Sequence, residues 1–369
     1  MFGRLLASVL KEMRLFLRDP RSRAMLFGIP VMQVTIFGLA ATLEVRHVDL
    51  AIINEDAGYW SREMVSRVSA ASFIGRVVHP DNMADFTARL ERRQVLLGLH
   101  FPADFSRDVA AGRPATVQVI VDGRRANAGQ ITFSYLNAIA TELGVELART
   151  SPGFVDPPAA AVRHWFNPNL DYRWFMVPNL AASLSMIIAL MITSLSISRE
   201  REMGTFDQLL VSPSTPLEII VSKTIPALLA GGIVGVIIVG IAIFGFGIPF
   251  YGSFLLLFGA MFPFVLSVVG VGLVISSLAN TQQQAVLGIF FALTPLMMIS
   301  GFATPVENMP EFLQYIAKAS PLKHFLIIVQ GSFLKSMPAA DVWDNVWPML
   351  IIAAVTLTTA TLFVQRRLQ

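Results

Sequence analysis

Cysteine is absent from the 369-residue chain. That excludes disulfides, thiolate metal sites and a cysteine nucleophile, though it does not fix the compartment. Charge is scarce as well: 14 % of residues are Asp, Glu, Lys or Arg, against about 25 % in an ordinary soluble domain. From Thr224 to Val306 there is no such residue at all. A surface facing water cannot be built that way, so lipid must replace water around this stretch. No G-x-x-x-x-G-K-[ST] loop occurs, which excludes a self-contained ATPase of that type. The five histidines, His47, His79, His100, His164 and His324, are dispersed and form no H-E-x-x-H pair. Asp104 and Asp108 lie four apart in a polar stretch and read as a solvated helix face. The expectation is therefore no catalytic residue, no bound metal and no enzyme. The net charge of +3 and pI near 9.4 do not indicate nucleic acid, because the basic residues flank apolar runs or scatter between them.

Long apolar runs are what the chain has instead. The first, 24–43, would make a helix about 30 Å long, enough to cross a bilayer and long for a cleaved signal. Further spans are predicted at 174–197, 224–247, 253–278, 282–303 and 346–364. The fold class expected is an α-helical polytopic membrane protein with six transmembrane helices. Residues 1–23 carry apolar groups at Phe2, Leu5, Leu6, Val9, Met13, Phe16 and Leu17, one face of a helix, with Arg4, Lys11, Arg14 and Arg18 largely opposite. Beside a span, this pattern suits an amphipathic helix in the headgroup layer on the cytoplasmic side.

Basic residues near span ends set the orientation. Arg4 to Arg23 precede the first span, Arg199, Arg201 and Lys223 follow the second, and Arg366 and Arg367 follow the last. With six spans all three groups fall in the cytoplasm, as do both termini and the 365–369 tail. Residues 44–173 then lie outside. They contain β-rich stretches at 48–53, 94–99 and 116–121 and helical periodicity at 81–93 and 127–149, which predicts an inserted extracytoplasmic α/β domain. Residues 304–345, broken by Pro305, Pro310 and Pro321, form a second extracytoplasmic or re-entrant segment with a short helix at 312–319. Frequent glycine in the third and fourth spans predicts close helix packing within the chain.

The loop 198–223 holds the most ordered cytoplasmic pattern. A charged run containing Glu200 and Glu202 reaches Gly204, Thr205 can cap a short helix after it, Phe206, Leu209 and Leu210 can share a face, and Pro213 stops it. Such an element can dock in a groove of a cytoplasmic partner. The stretch Glu200-x-Glu202-x-Gly204-Thr205-x-x-x-Leu209-Leu210-x-Ser212-Pro213 resembles the cytoplasmic loop of ABC-2-type exporter permeases, the bacterial drug-efflux subunits above all. The resemblance continues at Phe101-Pro-Ala-Asp-Phe105, Asp122-Gly-Arg124, Asn167-Pro-Asn169, Ser276-Ser277, Thr281-Gln-Gln-Gln284, Ser300-Gly301, Pro305, Met309-Pro310 and Pro321. Asn179 departs from it, where many relatives have glycine after Pro178.

The resemblance implies a bacterial inner-membrane exporter subunit that pairs with a second permease, identical or related. Each permease would contact a separate ABC ATPase through the 200–213 loop. ATP and Mg would be bound by that ATPase and no cofactor by this chain. A periplasmic adaptor and an outer-membrane channel complete the route in many relatives. The cargo expected is hydrophobic or amphipathic, drug-like or lipid-like. Uncharged polar residues suited to a path or a helix interface are Gln33, Asn179, Thr193, Gln282, Gln283, Gln284 and Thr294. Two other classes compete. An ion-coupled secondary transporter would need a buried carboxylate or histidine, and none falls within the predicted spans. A membrane-anchored receptor could use the extracytoplasmic domain alone.

Overall fold

The computed structural model describes residues 9–11, 13, 14, 18, 24–40, 45, 47–149, 165–205 and 215–368. Most of the predicted leader helix lies outside these; residues 9–11, 13, 14 and 18 are helical. The chain divides into two units, residues 1–41 with 164–369, and residues 42–163.

In the first unit a π-helical turn, Ala24–Gly28, leads into α1, Ile29–Ala40; the remaining residues of the predicted first span, 41–43, lie outside the described residues. The helices of the second unit come next in the chain and take the numbers α2 to α5. The bundle resumes with α6 (Arg173–Glu202), α7 (Pro216–Gly240, extended by a π-turn at Ile241–Gly245), α8 (Phe254–Leu278) and α9 (Gln282–Ile299). It ends with α10 (Glu311–Ala317), α11 (Pro321–Leu334) and α12 (Ala339–Leu368). Five of the described helices are long and apolar enough to cross a membrane: α6, α7 with its π-turn, α8, α9 and α12. Among these five α6 is the most enclosed, with 72 % of its apolar window buried, and α9 the least, with 11 %.

Local chemistry sets the helix ends. Thr215 caps α7: its hydroxyl accepts from Glu218 N at 3.3 Å, while the Glu218 carboxylate accepts from Thr215 N at 2.9 Å, and Pro216 takes the first helical position. Helix α9 starts at Thr281, whose hydroxyl accepts from Gln284 N at 3.2 Å, and it stops at Ile299, before the predicted 303, because Gly301 turns the chain at φ +90°. The predicted loop 198–223 is helical at both of its ends. Residues up to Glu202 remain in α6 and those from Pro216 belong to α7, since charge does not by itself end a helix. The last helix likewise overruns the predicted 346–364 at both ends.

Helix α11 shows where 304–345 goes. The Phe325 ring stacks on Phe264 of α8 with centroids 4.3 Å apart, and Phe333 meets Phe250 edge-on at 5.1 Å. Gly252 N donates to Ser332 O at 2.7 Å. Phe250 and Gly252 lie in the α7–α8 connection, whereas Phe264 lies about 15 Å along α8 from it. So α11 climbs towards that connection from within the bundle, and the segment folds back among the helices. His324, buried on α11, ties it to its neighbours: Nδ1 is 3.2 Å from Asn345 Oδ1 of α12 and Nε2 is 2.9 Å from Lys318 O.

Glycine separates packed from open helix faces. A Cβ on Gly270 would collide with the Thr356 hydroxyl of α12, and one on Gly272 with the Thr193 hydroxyl of α6. Gly231 and Gly235 of α7 also press on neighbouring helices of the chain, while Gly232, Gly240 and Gly259 face open space.

The second unit holds β1 (Val48–Asn54), α2 (Tyr59–Ser69), β2 (Ile74–Val78), α3 (Met83–Glu91), β3 (Leu97–Phe101), α4 (Phe105–Ala110), β4 (Gln118–Val121) and α5 (Ala126–Arg149). The sheet order is β2-β1-β3-β4, with β1 parallel to β2 and β3, and β3 antiparallel to β4. Strand alternation sends Leu50, Ile52, Leu97 and Leu99 into one core with Met64, Val68, Phe105 and Leu136, while Ala51 joins Phe86 and Val95 on the other face. Strand β2, with Gly75 and Arg76 at its centre, carries too little β signal to be read in advance. Burial alone would raise the Asp56 carboxyl, but bonds from the Ser106 hydroxyl and backbone hold it below the usual carboxylate range. The Arg124 guanidinium likewise depresses Asp122.

Candidate functional site

The C-terminal turn of α6 ends in a Schellman arrangement. Thr205 N donates to Glu200 O at 2.9 Å and Gly204 N to Arg201 O at 3.0 Å, with Gly204 at φ +69°. Only glycine takes that conformation without strain, so the position of Gly204 fixes where the helix stops. The Thr205 hydroxyl also donates to Glu200 O, at 3.2 Å, and so helps close α6; the short helix expected after it lies outside the described residues. Phe206, Leu209, Leu210 and Pro213 lie outside the described residues.

Three of the four charged residues before this stop, Glu200, Arg201 and Glu202, each engage a different helix. Glu200 pairs with α7: its Oε2 lies 2.9 Å from Lys223 Nζ, and Lys223 also donates to Ser196 Oγ at 3.0 Å. The Lys223 side chain is 2 % exposed and that of Glu200 17 %, so the pair sits largely out of water. The contact is coulombic more than directional, because its angle falls short of a hydrogen bond. Arg201 turns to the end of α8, where Nη1 donates to Ser277 O at 2.9 Å and to Ala279 O at 2.8 Å. Glu202 takes the start of α9: Oε2 accepts from Gln282 N at 2.8 Å and from Gln282 Nε2 at 3.2 Å.

The signs suit the helix dipoles. A guanidinium meets the carbonyl end of α8 and a carboxylate meets the N–H end of α9. One turn deeper, Ser276 Oγ of α8 accepts from Ile197 N and Ser198 N of α6 at 3.0 and 3.2 Å. The ends of α6, α7, α8 and α9 are thus gathered on a single charged turn that leads directly into residues 206–214.

Of the residues singled out in the sequence, Glu200, Glu202, Gly204, Thr205, Gln282 and Gln284 meet here. Gln284 accepts from Asn280 N at 2.9 Å, and Gln283 is exposed. Asn179 is elsewhere: it is fully buried on α6, its Oδ1 accepting from Gln330 Nε2 of α11 at 3.3 Å. Gln33 is half-buried on α1, Thr193 is buried against Gly272, and Thr294 is exposed on α9. Lys223, Arg201 and Ser276 belong to the cluster without having been named as site residues. Lys223 had a signal, as the last charge before the long uncharged stretch. Arg201 had none, because a carbonyl partner leaves no mark in a sequence.

The family model described as ABC-2 family transporter protein matches residues 21–362. The probable multidrug ABC transporter permease YbhR of Escherichia coli (strain K12) is 41 % identical over 367 residues, covering all of both chains. The probable multidrug ABC transporter permease YbhS of the same strain is 27 % identical, covering 99 % of this chain and 97 % of its own. The inner membrane transport permease YhhJ, also from that strain, is 28 % identical over 363 residues, covering 96 % of this chain and 94 % of its own. With a matching model over almost its whole length and relatives aligned end to end, the chain belongs to the ABC-2 family of transporter proteins.

Proposed function

We propose that this multi-pass membrane protein exports hydrophobic or amphipathic compounds, drug-like or lipid-like, from the cytoplasm or inner leaflet as the permease subunit of an ABC exporter. It is a transport subunit, and the ATPase is a partner chain. The reading for the membrane is six spans, α1 with the residues after it being the first, in a bacterial inner membrane with both termini cytoplasmic. Residues 44–173 then form an extracytoplasmic α/β domain. ATP and Mg bind in the partner, two permeases pair as a homodimer or with a related chain, and an adaptor and outer-membrane channel can extend the route.

The observation that carries this reading is the charged turn Glu200–Glu202. It binds three helices of an otherwise sparsely charged bundle and opens into the loop expected to meet the ATPase. Motion delivered to residues 206–214 would pass through Gly204 to α6 and, through its charges, to α7, α8 and α9. Gly204→Pro, or Leu209→Asp with Leu210→Asp, should abolish co-purification with the ATPase, or stimulation of its activity, while insertion in the membrane persists. Full coupling in those variants would remove the assignment. Transport that survives ATP depletion but stops when the proton gradient is collapsed would favour an ion-coupled carrier instead.

A further inference from the structure

The second unit contains a cavity of about 580 Å³ between α5 and the sheet. Ligand sites for small molecules fall in the range of about 300–1,000 Å³. One wall is apolar: Leu99 and Val119 of the sheet, Met64 of α2, and Phe105 and Val109 of α4. The opposite wall is α5, and its sequence explains the space. Leu136 and Leu143 reach the core and are buried. Ala140, Gly144 and Ala148, spaced four apart on the neighbouring stripe, are too short to meet the sheet. At Gly144 an added Cβ would find nothing within 4 Å.

Polar groups are few. Arg113 and Asn137 line the cavity, and Arg113 is 56 % exposed at its rim. Its Nε and Nη2 donate to Asp108 Oδ1 at 3.0 and 2.5 Å. Asp108 cancels the net charge but leaves Nη1 to donate elsewhere, which suits a hydrogen-bond acceptor better than a multiply charged anion. An open apolar chamber with one polar corner matches a ligand with an apolar body and a single polar end.

We propose that this cavity binds an amphipathic small molecule, its body against Ala140, Gly144 and Leu99 and its hydrogen-bond-accepting head at Arg113. The site stands on the geometry of residues 48–149 and does not depend on how the membrane unit works.

Because the chain has no cysteine, one introduced thiol reports one place. Full-length protein in lipid nanodiscs would carry Ala140→Cys in the cavity or Ala138→Cys on another face of α5. The rate of modification by a cationic methanethiosulfonate would be read with and without 1-anilinonaphthalene-8-sulfonate. The probe should slow Ala140→Cys at least fivefold, saturably, and leave Ala138→Cys unchanged. Gly144→Phe should keep or raise the thermal midpoint and reduce saturable probe fluorescence at least tenfold; Ala140→Leu serves the same purpose with a smaller group. Arg113→Gln should weaken the sulfonate probe several-fold while sparing the neutral N-phenyl-1-naphthylamine. Equal protection at both cysteines, no protection, or undiminished binding in both filled variants would overturn the site. So would an Ala140→Cys that is unreactive before any probe is added, since the chain itself would then close the cavity.

Discussion

Replacing Lys223 by methionine tests the charged turn most directly. The substitution keeps the length and apolar stem of the side chain but strips Glu200 of the ammonium it pairs with. Removing one partner of a buried pair costs about 3–5 kcal/mol. The Glu200 side chain is 17 % exposed, so some water reaches it, and the low end of that range, about 3 kcal/mol, applies. That is roughly a hundredfold in the folding equilibrium. Adding Glu200→Gln removes the stranded charge and should restore most of the loss, about 2 kcal/mol relative to Lys223→Met alone. Unfolding of full-length protein in mixed micelles, titrated with dodecyl sulfate and followed by tryptophan fluorescence, measures each variant. Stimulation of the ATPase, measured alongside, separates two roles. A mere clip predicts that the double variant recovers stability and coupling together; a charge needed for transmission predicts that only stability returns. Lys223→Met as stable as the parent, or a double variant no better than the single, would refute the reasoning.

Gly204→Ala forces a side chain into positive φ and should destabilise the end of α6 by about 1 kcal/mol, read as faster hydrogen exchange in residues 199–205. Gly272→Val drives methyl groups into Thr193 and should lower stability by about 1–3 kcal/mol, whereas Gly232→Ala, with open space around it, should be neutral or slightly stabilising in the same micelle titration. Arg201→Lys loses the two-carbonyl grip on α8, so exchange of the α8 C-terminal turn should increase while total expression holds. Asp56 makes the second unit acid-sensitive. Its folded pKa lies below the unfolded value of about 3.9, so its stabilisation is complete above that value and is lost as pH falls through the folded pKa. Asp56→Asn should flatten the acid limb of a thermal-midpoint profile for residues 48–149; an unchanged limb would remove the carboxylate from the account.

Much of the chain is legible before folding because its signals are local. The absence of charge from Thr224 to Val306 requires lipid, whatever the helices do next. Gly204, read as the break in the charged run, ends α6 through contacts spanning a few residues. The strands at 48–54, 97–101 and 118–121 and the helix at 126–149 follow alternation or periodicity, which the backbone itself imposes. Pro305, Pro310 and Pro321 leave 304–345 as an extracytoplasmic or re-entrant segment in the sequence; that α11 is buried could not be read there, because burial depends on neighbours distant in the chain.

The sequence alone therefore determined a membrane bundle, a family resemblance and a charged loop with a glycine stop. Only the tertiary structure decided that Glu200, Arg201 and Glu202 each hold a separate helix. Their partners, Lys223, the carbonyls of Ser277 and Ala279, and Gln282, are near neighbours only once the chain has folded back on itself. The cavity beside Gly144 has the same origin. A run of small residues is visible in the sequence, but empty space is a relation between two surfaces, and those meet only in three dimensions.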